Sequence, residues 1–122
     1  MTATILLIDD DISILRMIRM GLKQAGYQVV TAQDGVNALE KLEEMTPDLI
    51  ISDVMMPRIG GLELVRAIRK RTATTRTPII MLTSLTRYDD MKMSYDLGAD
   101  FYLTKPFDLK ALLDAISNLL PE

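Results

Sequence analysis

Thr46-Pro47-Asp48-Leu49-Ile50-Ile51-Ser52-Asp53-Val54-Met55-Met56-Pro57 is the stretch on which the fold turns. Leu49, Ile50 and Ile51 form an apolar run without polar alternation, the pattern of a strand buried on both faces in a parallel sheet. Pro57 has no N–H to give a ladder, so the strand has ended by then. Asp53 is therefore a carboxylate delivered to the carboxyl end of a buried strand, where open α/β folds collect ligands and chemistry. Alone, such an aspartate also reads as a turn cap. The rest of the chain decides between the two.

On the N-terminal side, Thr4-Ile5-Leu6-Leu7-Ile8 is a second buried run, stopping at Asp9-Asp10-Asp11. Leu15, Ile18, Leu22 and Ala25 then recur at helical spacing, with Asp11 or Ser13 to cap the start and Gly26 to stop it. Residues 28–32 form the next strand. Asp34-Gly35 turns into a helix with Val36, Leu39, Leu42 and Met45 on one face, ended by Thr46-Pro47. On the C-terminal side, Gly60-Gly61 precedes a helix marked by Leu62, Val65 and Ile68. Arg66, Arg69, Lys70, Arg71 and Arg76 read as a solvated face. Residues 78–82 are a fourth strand, ending on Thr83-Ser84. Residues 88–97 read as a fourth helix with a weak apolar face, a loosely held element. Phe101-Tyr102-Leu103 is the fifth strand, ended by Thr104-Lys105-Pro106. Asp108 opens a last helix with Leu109, Leu112, Leu113, Ile116, Leu119 and Leu120 inward. Five strands alternating with five helices predict an α/β fold: βαβ units, one parallel sheet and helices on both faces.

A chain of 122 residues suits a single domain over residues 1–122 with one core. The net charge of −3 argues against nucleic acid or an anionic membrane as the domain's own partner. Without cysteine there is no disulfide or thiolate metal site, and without histidine the usual general base and zinc ligand are gone. Chemistry must then use carboxylates, hydroxyls and lysine. No apolar run approaches the roughly 18 residues of a membrane span, so no membrane insertion is expected and a cytoplasmic setting is.

The strands end on Asp9-Asp10, Asp53, Thr83 and Lys105. Carboxyl ends of parallel strands lie on one edge, so three carboxylates, a hydroxyl and an ammonium converge there. Clustered carboxylates repel one another and need a cation. Oxygen ligands suit magnesium rather than zinc. A carboxylate beside a divalent ion can attack a phosphoryl group and become an aspartyl phosphate. Metal and lysine then neutralise the transferred oxygens, and a threonine hydroxyl can hydrogen-bond one of them.

Along essentially its whole length the chain resembles the receiver domain of bacterial two-component response regulators. The matching pieces are Ile8-Asp9-Asp10, Asp53-Val54-Met55-Met56-Pro57 with Gly60-Gly61, Thr83-Ser84, and Gly98-Ala99-Asp100 leading to Lys105-Pro106-Phe107. The resemblance implies a doubly wound, flavodoxin-like fold with strand order 2-1-3-4-5. It implies that Asp53 is the phosphoacceptor and a metal ligand, that Asp10 binds magnesium directly (manganese being able to take its place), and that Asp9 holds it through water. Met55 would add its backbone carbonyl. Lys105 would pair with the phosphoryl group, Thr83 would move to bond it, and Tyr102 would swing inward with Thr83. A cis peptide is implied at Lys105-Pro106. Phosphorylation would shift a population between two arrangements and change the face made by the fourth helix, fifth strand and last helix. The implied donor is a sensor histidine kinase or a histidine phosphotransfer protein, necessarily another molecule. The implied receiver of the signal is a downstream protein or an output domain.

Phe101 departs from the acidic residue that winged-helix regulators of this family carry there as part of a salt-bridged dimer face. It reads either as a contact for a protein partner or as a side chain half buried under the fourth helix. It tilts expectation towards a stand-alone regulator or an unusual output. Two other classes compete. A phosphatase of the haloacid dehalogenase type needs a second aspartate two residues after the first, where Met55 stands; a switch that catalyses only its own phosphorylation and dephosphorylation fits better. A scaffold that signals without phosphate has no use for the intact set of Asp9, Asp10, Asp53, Thr83 and Lys105. Met55 and Leu85, both apolar near the site, predict a long-lived phosphate.

Overall fold

Strands made of unbroken aliphatic runs must be covered on both sides, and that requirement organises the computed structural model. It describes residues 2–54, 56, 58–83 and 98–120. The elements are β1 (Thr4–Ile8), α1 (Ile12–Gln24), β2 (Gln28–Ala32), α2 (Gly35–Glu44), β3 (Leu49–Asp53), α3 (Gly61–Lys70), a 3-10 turn (Thr72–Thr74), β4 (Ile79–Thr83), β5 (Phe101–Thr104) and α4 (Leu109–Leu119). The helix expected over residues 88–97 lies outside the described residues, so the last helix is α4 here. The sheet is five-stranded and parallel, in the order β2-β1-β3-β4-β5. The expected doubly wound order is found.

Side chains alternate between two cores. Ile5, Leu7, Leu49, Ile51, Ile80 and Leu82 face α1 and α4, where Leu15, Ile18, Leu22, Leu112 and Ile116 meet them. Leu6, Ile8, Ile50, Ile79, Met81 and Tyr102 face α2 and α3, where Ala38, Leu42, Leu64, Val65 and Ile68 meet them. Every residue of β3 is buried. Each such Leu or Ile contributes about 1.5–3 kcal/mol relative to an exposed one, so β3 cannot shift register without losing much of the fold.

The starts of α1 and α2 are set by aspartates that end the preceding turn. Asp11 accepts the N–H groups of Ser13 and Ile14 at 2.9 and 3.3 Å, and Asp34 accepts that of Asn37 at 2.8 Å. Some expected inward faces are corrected. Val36 is exposed while Ala38 and Leu42 are buried, because α2 starts at Gly35 and turns that pair onto the sheet. Ala25 ends α1 in solvent, and Gly21 is buried instead, with Leu109 of α4 seated where its side chain would be.

The expected solvated basic face holds for Arg66, Lys70 and Arg76, which are exposed, and is corrected for Arg69 and Arg71. Arg69 donates to the carbonyls of Gly98, Thr74 and Thr77 and to Asp100 Oδ2, at 2.6–3.1 Å. Asp100 Oδ2 in turn accepts the Ile79 N–H at 2.8 Å. Arg71 donates to the Leu42 carbonyl at 3.2 Å. The end of α3 points the Arg69 guanidinium at carbonyls that the 3-10 turn and the Gly98 turn leave without ladder partners, and the Arg71 guanidinium at a carbonyl in the last turn of α2. Gly98 has φ +112°, where any larger residue is strained.

Candidate functional site

Parallel register brings the strand ends level. Ile8 lies opposite Ser52, Asp53 opposite Leu82, and Thr83 opposite Thr104. The residues after β1 and at the end of β3 therefore emerge side by side. Carboxylate oxygens of Asp9, Asp10 and Asp53 lie within 4.8 Å of one another. Asp9 is fully buried and Asp53 nearly so, while Asp10 is exposed.

A buried carboxylate is costly unless its oxygens are engaged. Asp9 Oδ1 accepts the Asp11 N–H at 2.9 Å and Oδ2 accepts Lys105 Nζ at 3.1 Å. The same ammonium stands 3.6 Å from Asp53 Oδ1. It is fixed from behind, since the Lys105 N–H donates to the Thr83 carbonyl at 2.6 Å. The Lys105-Pro106 peptide is cis, as expected. Thr83 is fully buried at the end of β4, and Ser52 Oγ donates to the Asp53 carbonyl at 3.0 Å.

Asp9, Asp10, Asp53 and Lys105 thus meet in one place, and Thr83 lies on the strand between Asp53 and Lys105. Tyr102 is buried on the α2–α3 side of the sheet. Phe101 is 38% exposed on β5, an outer strand, opposite Ile80 and on the other face. Met55 and Leu85 lie outside the described residues.

One ammonium against three carboxylates leaves an excess of negative charge. Their oxygens span little more than the ~4 Å between oxygens that share one magnesium ion. All donors are hard oxygens, and exposed Asp10 leaves a side open to water. The residues present fit a hard divalent cation better than zinc.

One feature near the site gives no sequence signal. Arg58, in the loop after Asp53, forms an ion pair with Asp34 at the start of α2. The partners are 24 residues apart, and no periodicity links them. The Asn37 N–H holds the Asp34 carboxyl below the ordinary carboxylate range. Partial loss of water opposes this, and the Arg58 guanidinium adds to it. Arg58 itself has φ 65°, the left-handed region.

A family model described as the response regulator receiver domain matches residues 5–117. The DNA-binding dual master transcriptional regulator RpaA of Synechocystis is 39% identical over 116 residues, covering 95% of this chain and 48% of that protein. The alkaline phosphatase synthesis transcriptional regulatory protein PhoP of Bacillus subtilis is 42% identical over 120 residues, covering 98% and 49%. The chain spans about half the length of such curated relatives. Among solved structures, the chemotaxis protein CheY4 of Vibrio cholerae superposes with a TM-score of 0.94 at 41% identity, covering 98% of this chain and all of that one. The receiver domain of a signal transduction histidine kinase from Syntrophus aciditrophicus gives 0.91 at 33% identity, covering 98% and 90%. These relatives overturn the expectation that nucleic acid is excluded as a partner, because one of them is DNA-binding. A net charge of −3 describes only these 122 residues, and the relatives are about twice as long. Family match, identity and superposition agree, and the chain belongs to the response regulator receiver domain family.

Proposed function

We propose that the chain, as one receiver domain over residues 1–122, is a phosphorylation-controlled switch whose phosphoacceptor is Asp53. The observation that carries this is the Lys105 ammonium, 3.1 Å from Asp9 and 3.6 Å from Asp53, in a cluster of three carboxylates at the strand ends. Asp9, Asp10, Asp53 and the Met55 carbonyl would hold magnesium or manganese. The bound ion supplies charge neutralisation to the transferred oxygens.

In the reading we favour, a sensor histidine kinase or histidine phosphotransfer protein presents its phosphoimidazole. An Asp53 oxygen attacks the phosphorus, and the phosphorus–nitrogen bond to the donor breaks. Lys105 leaves its position between Asp9 and Asp53 to pair with the new phosphoryl oxygens. Thr83 offers its hydroxyl to one of them, and Tyr102 repacks as Thr83 moves. The population shifts towards an active arrangement, read on the face that includes β5 and α4. The chain acts on no outside substrate in this account; it promotes only its own phosphorylation and the hydrolysis that resets it. The setting is the cytoplasm. Among the described residues no helix is long and apolar enough to cross a membrane. The signal passes to a downstream protein or an attached output domain. Transcriptional output of the kind named for RpaA and PhoP is the output class we favour for a longer chain.

The test is incubation with magnesium and a small phosphodonor, read by intact mass. One phosphate per chain is expected, and none in the presence of a chelator. Repeated turnover of a generic phosphate ester would instead mark a phosphatase and contradict the switch.

A further inference from the structure

The loop that leads from Asp53 to α3 is held from two sides. On the inner side, the Gly61 N–H donates to the Val54 carbonyl at 2.8 Å. On the outer side, Arg58 pairs with Asp34 Oδ2, and the Ile59 Cβ and carbonyl oxygen occupy the space a Cβ on Gly35 would need. Asp34 is itself fixed, because its Oδ1 accepts the Asn37 N–H at 2.8 Å while Asn37 Oδ1 accepts the Gln33 N–H at 3.3 Å. Two residues before Asp34, the carbonyl of Ala32 accepts the N–H of Asp9 at 3.2 Å. Asp34 is thus anchored to the backbone that carries Asp9, and Arg58 belongs to the loop that follows Asp53 at the end of β3. The left-handed φ of 65° at Arg58 is a conformation that non-glycine residues adopt only when their surroundings hold them there.

We propose that the Asp34–Arg58 pair is a positioning clamp that fixes the approach of Asp53 to Asp9 and thereby sets the affinity for the divalent cation. The proposal rests on the reading of these carboxylates as a metal site. Because the Arg58 side chain is 67% exposed, the clamp is weakened by salt.

Two variants separate the clamp from the fold. Asp34→Asn keeps a good helix cap and removes the charge. Arg58→Gly removes the guanidinium and also the cost of the left-handed backbone, which offsets the stability lost with the ion pair. The measurements are the magnesium dissociation constant by calorimetry at low and high salt, and amide hydrogen exchange at Gly61 without metal. Each variant is expected to raise the dissociation constant about two- to fivefold at low salt, the size of effect an exposed ion pair supplies. The double variant should be no weaker than either single one. The difference should shrink at ~1 M salt, where the Debye length is about 3 Å. Gly61 should exchange faster in both variants, while the Tm of Arg58→Gly holds or rises. A native chain that binds magnesium with variants that bind it equally well overturns the clamp alone. A native chain that takes no magnesium, although Gly61 exchange responds as described, overturns the metal-site reading and the clamp's role together.

Discussion

An aspartate at a strand end is ordinary until its neighbours are counted. Asp9, Asp10, Asp53, Thr83 and Lys105 were legible in the sequence because each follows or ends an apolar run, and a parallel sheet must bring such ends to one edge. Full burial of Asp9 is a cost of several kcal/mol that only its two engaged oxygens and a counter-charge offset. Arg58 and Asp34 were not legible together, because an ion pair across two loops leaves no periodic trace. The role of Arg69 is hidden from the sequence for a related reason: charges on a helix usually face water, and only tertiary structure shows carbonyls that need donors. Phe101 belongs to this scale too. It is 38% exposed on an outer strand, and we propose it as a contact for a protein partner. Phe101→Asp should weaken that association about tenfold, measured by sedimentation or partner titration on the phosphorylated chain. Unchanged association would remove Phe101 from the contact.

At the scale of elements, strands were read more accurately than helix faces. Strand positions follow from short runs that are apolar throughout, whereas a helix face depends on where the cap starts the first turn, as Val36 and Ala38 show. The start of α3 carries the sharpest consequence. Gly60 and Gly61 are adjacent, but only Gly61 lies against the Asp53 carbonyl oxygen and the Val54 Cα, so close that a Cβ would collide with backbone. Gly60 has only the Val54 carbonyl at 3.7 Å, an ordinary contact. Alanine favours a helix over glycine by about 1 kcal/mol, yet at Gly61 the collision should dominate. Gly61→Ala should destabilise the fold by about 1–3 kcal/mol, and Gly60→Ala by a few tenths, in chemical denaturation. Equal stabilities for the two variants would show that the loop beside Asp53 is not packed as described.

For the whole molecule, alternation of strands and helices made a parallel sheet with two covered faces legible, while the strand order 2-1-3-4-5 rested on the family resemblance. That order places β1 and β3 side by side, and it is this adjacency that brings Asp9 and Asp10 to Asp53. Charge on the whole chain was the weaker guide, since it spoke only for residues present and misjudged partners that longer relatives reach. The fold thus brings the Asp53 carboxylate to two others and to the Lys105 ammonium, and the proposed switch stands on that carboxylate. The direct measurement is intact mass of the native chain and of Asp53→Asn after identical exposure to magnesium and a small phosphodonor. The account predicts one phosphate on the native chain and none on Asp53→Asn; equal labelling of both, or no labelling of the native chain with any donor, would contradict it.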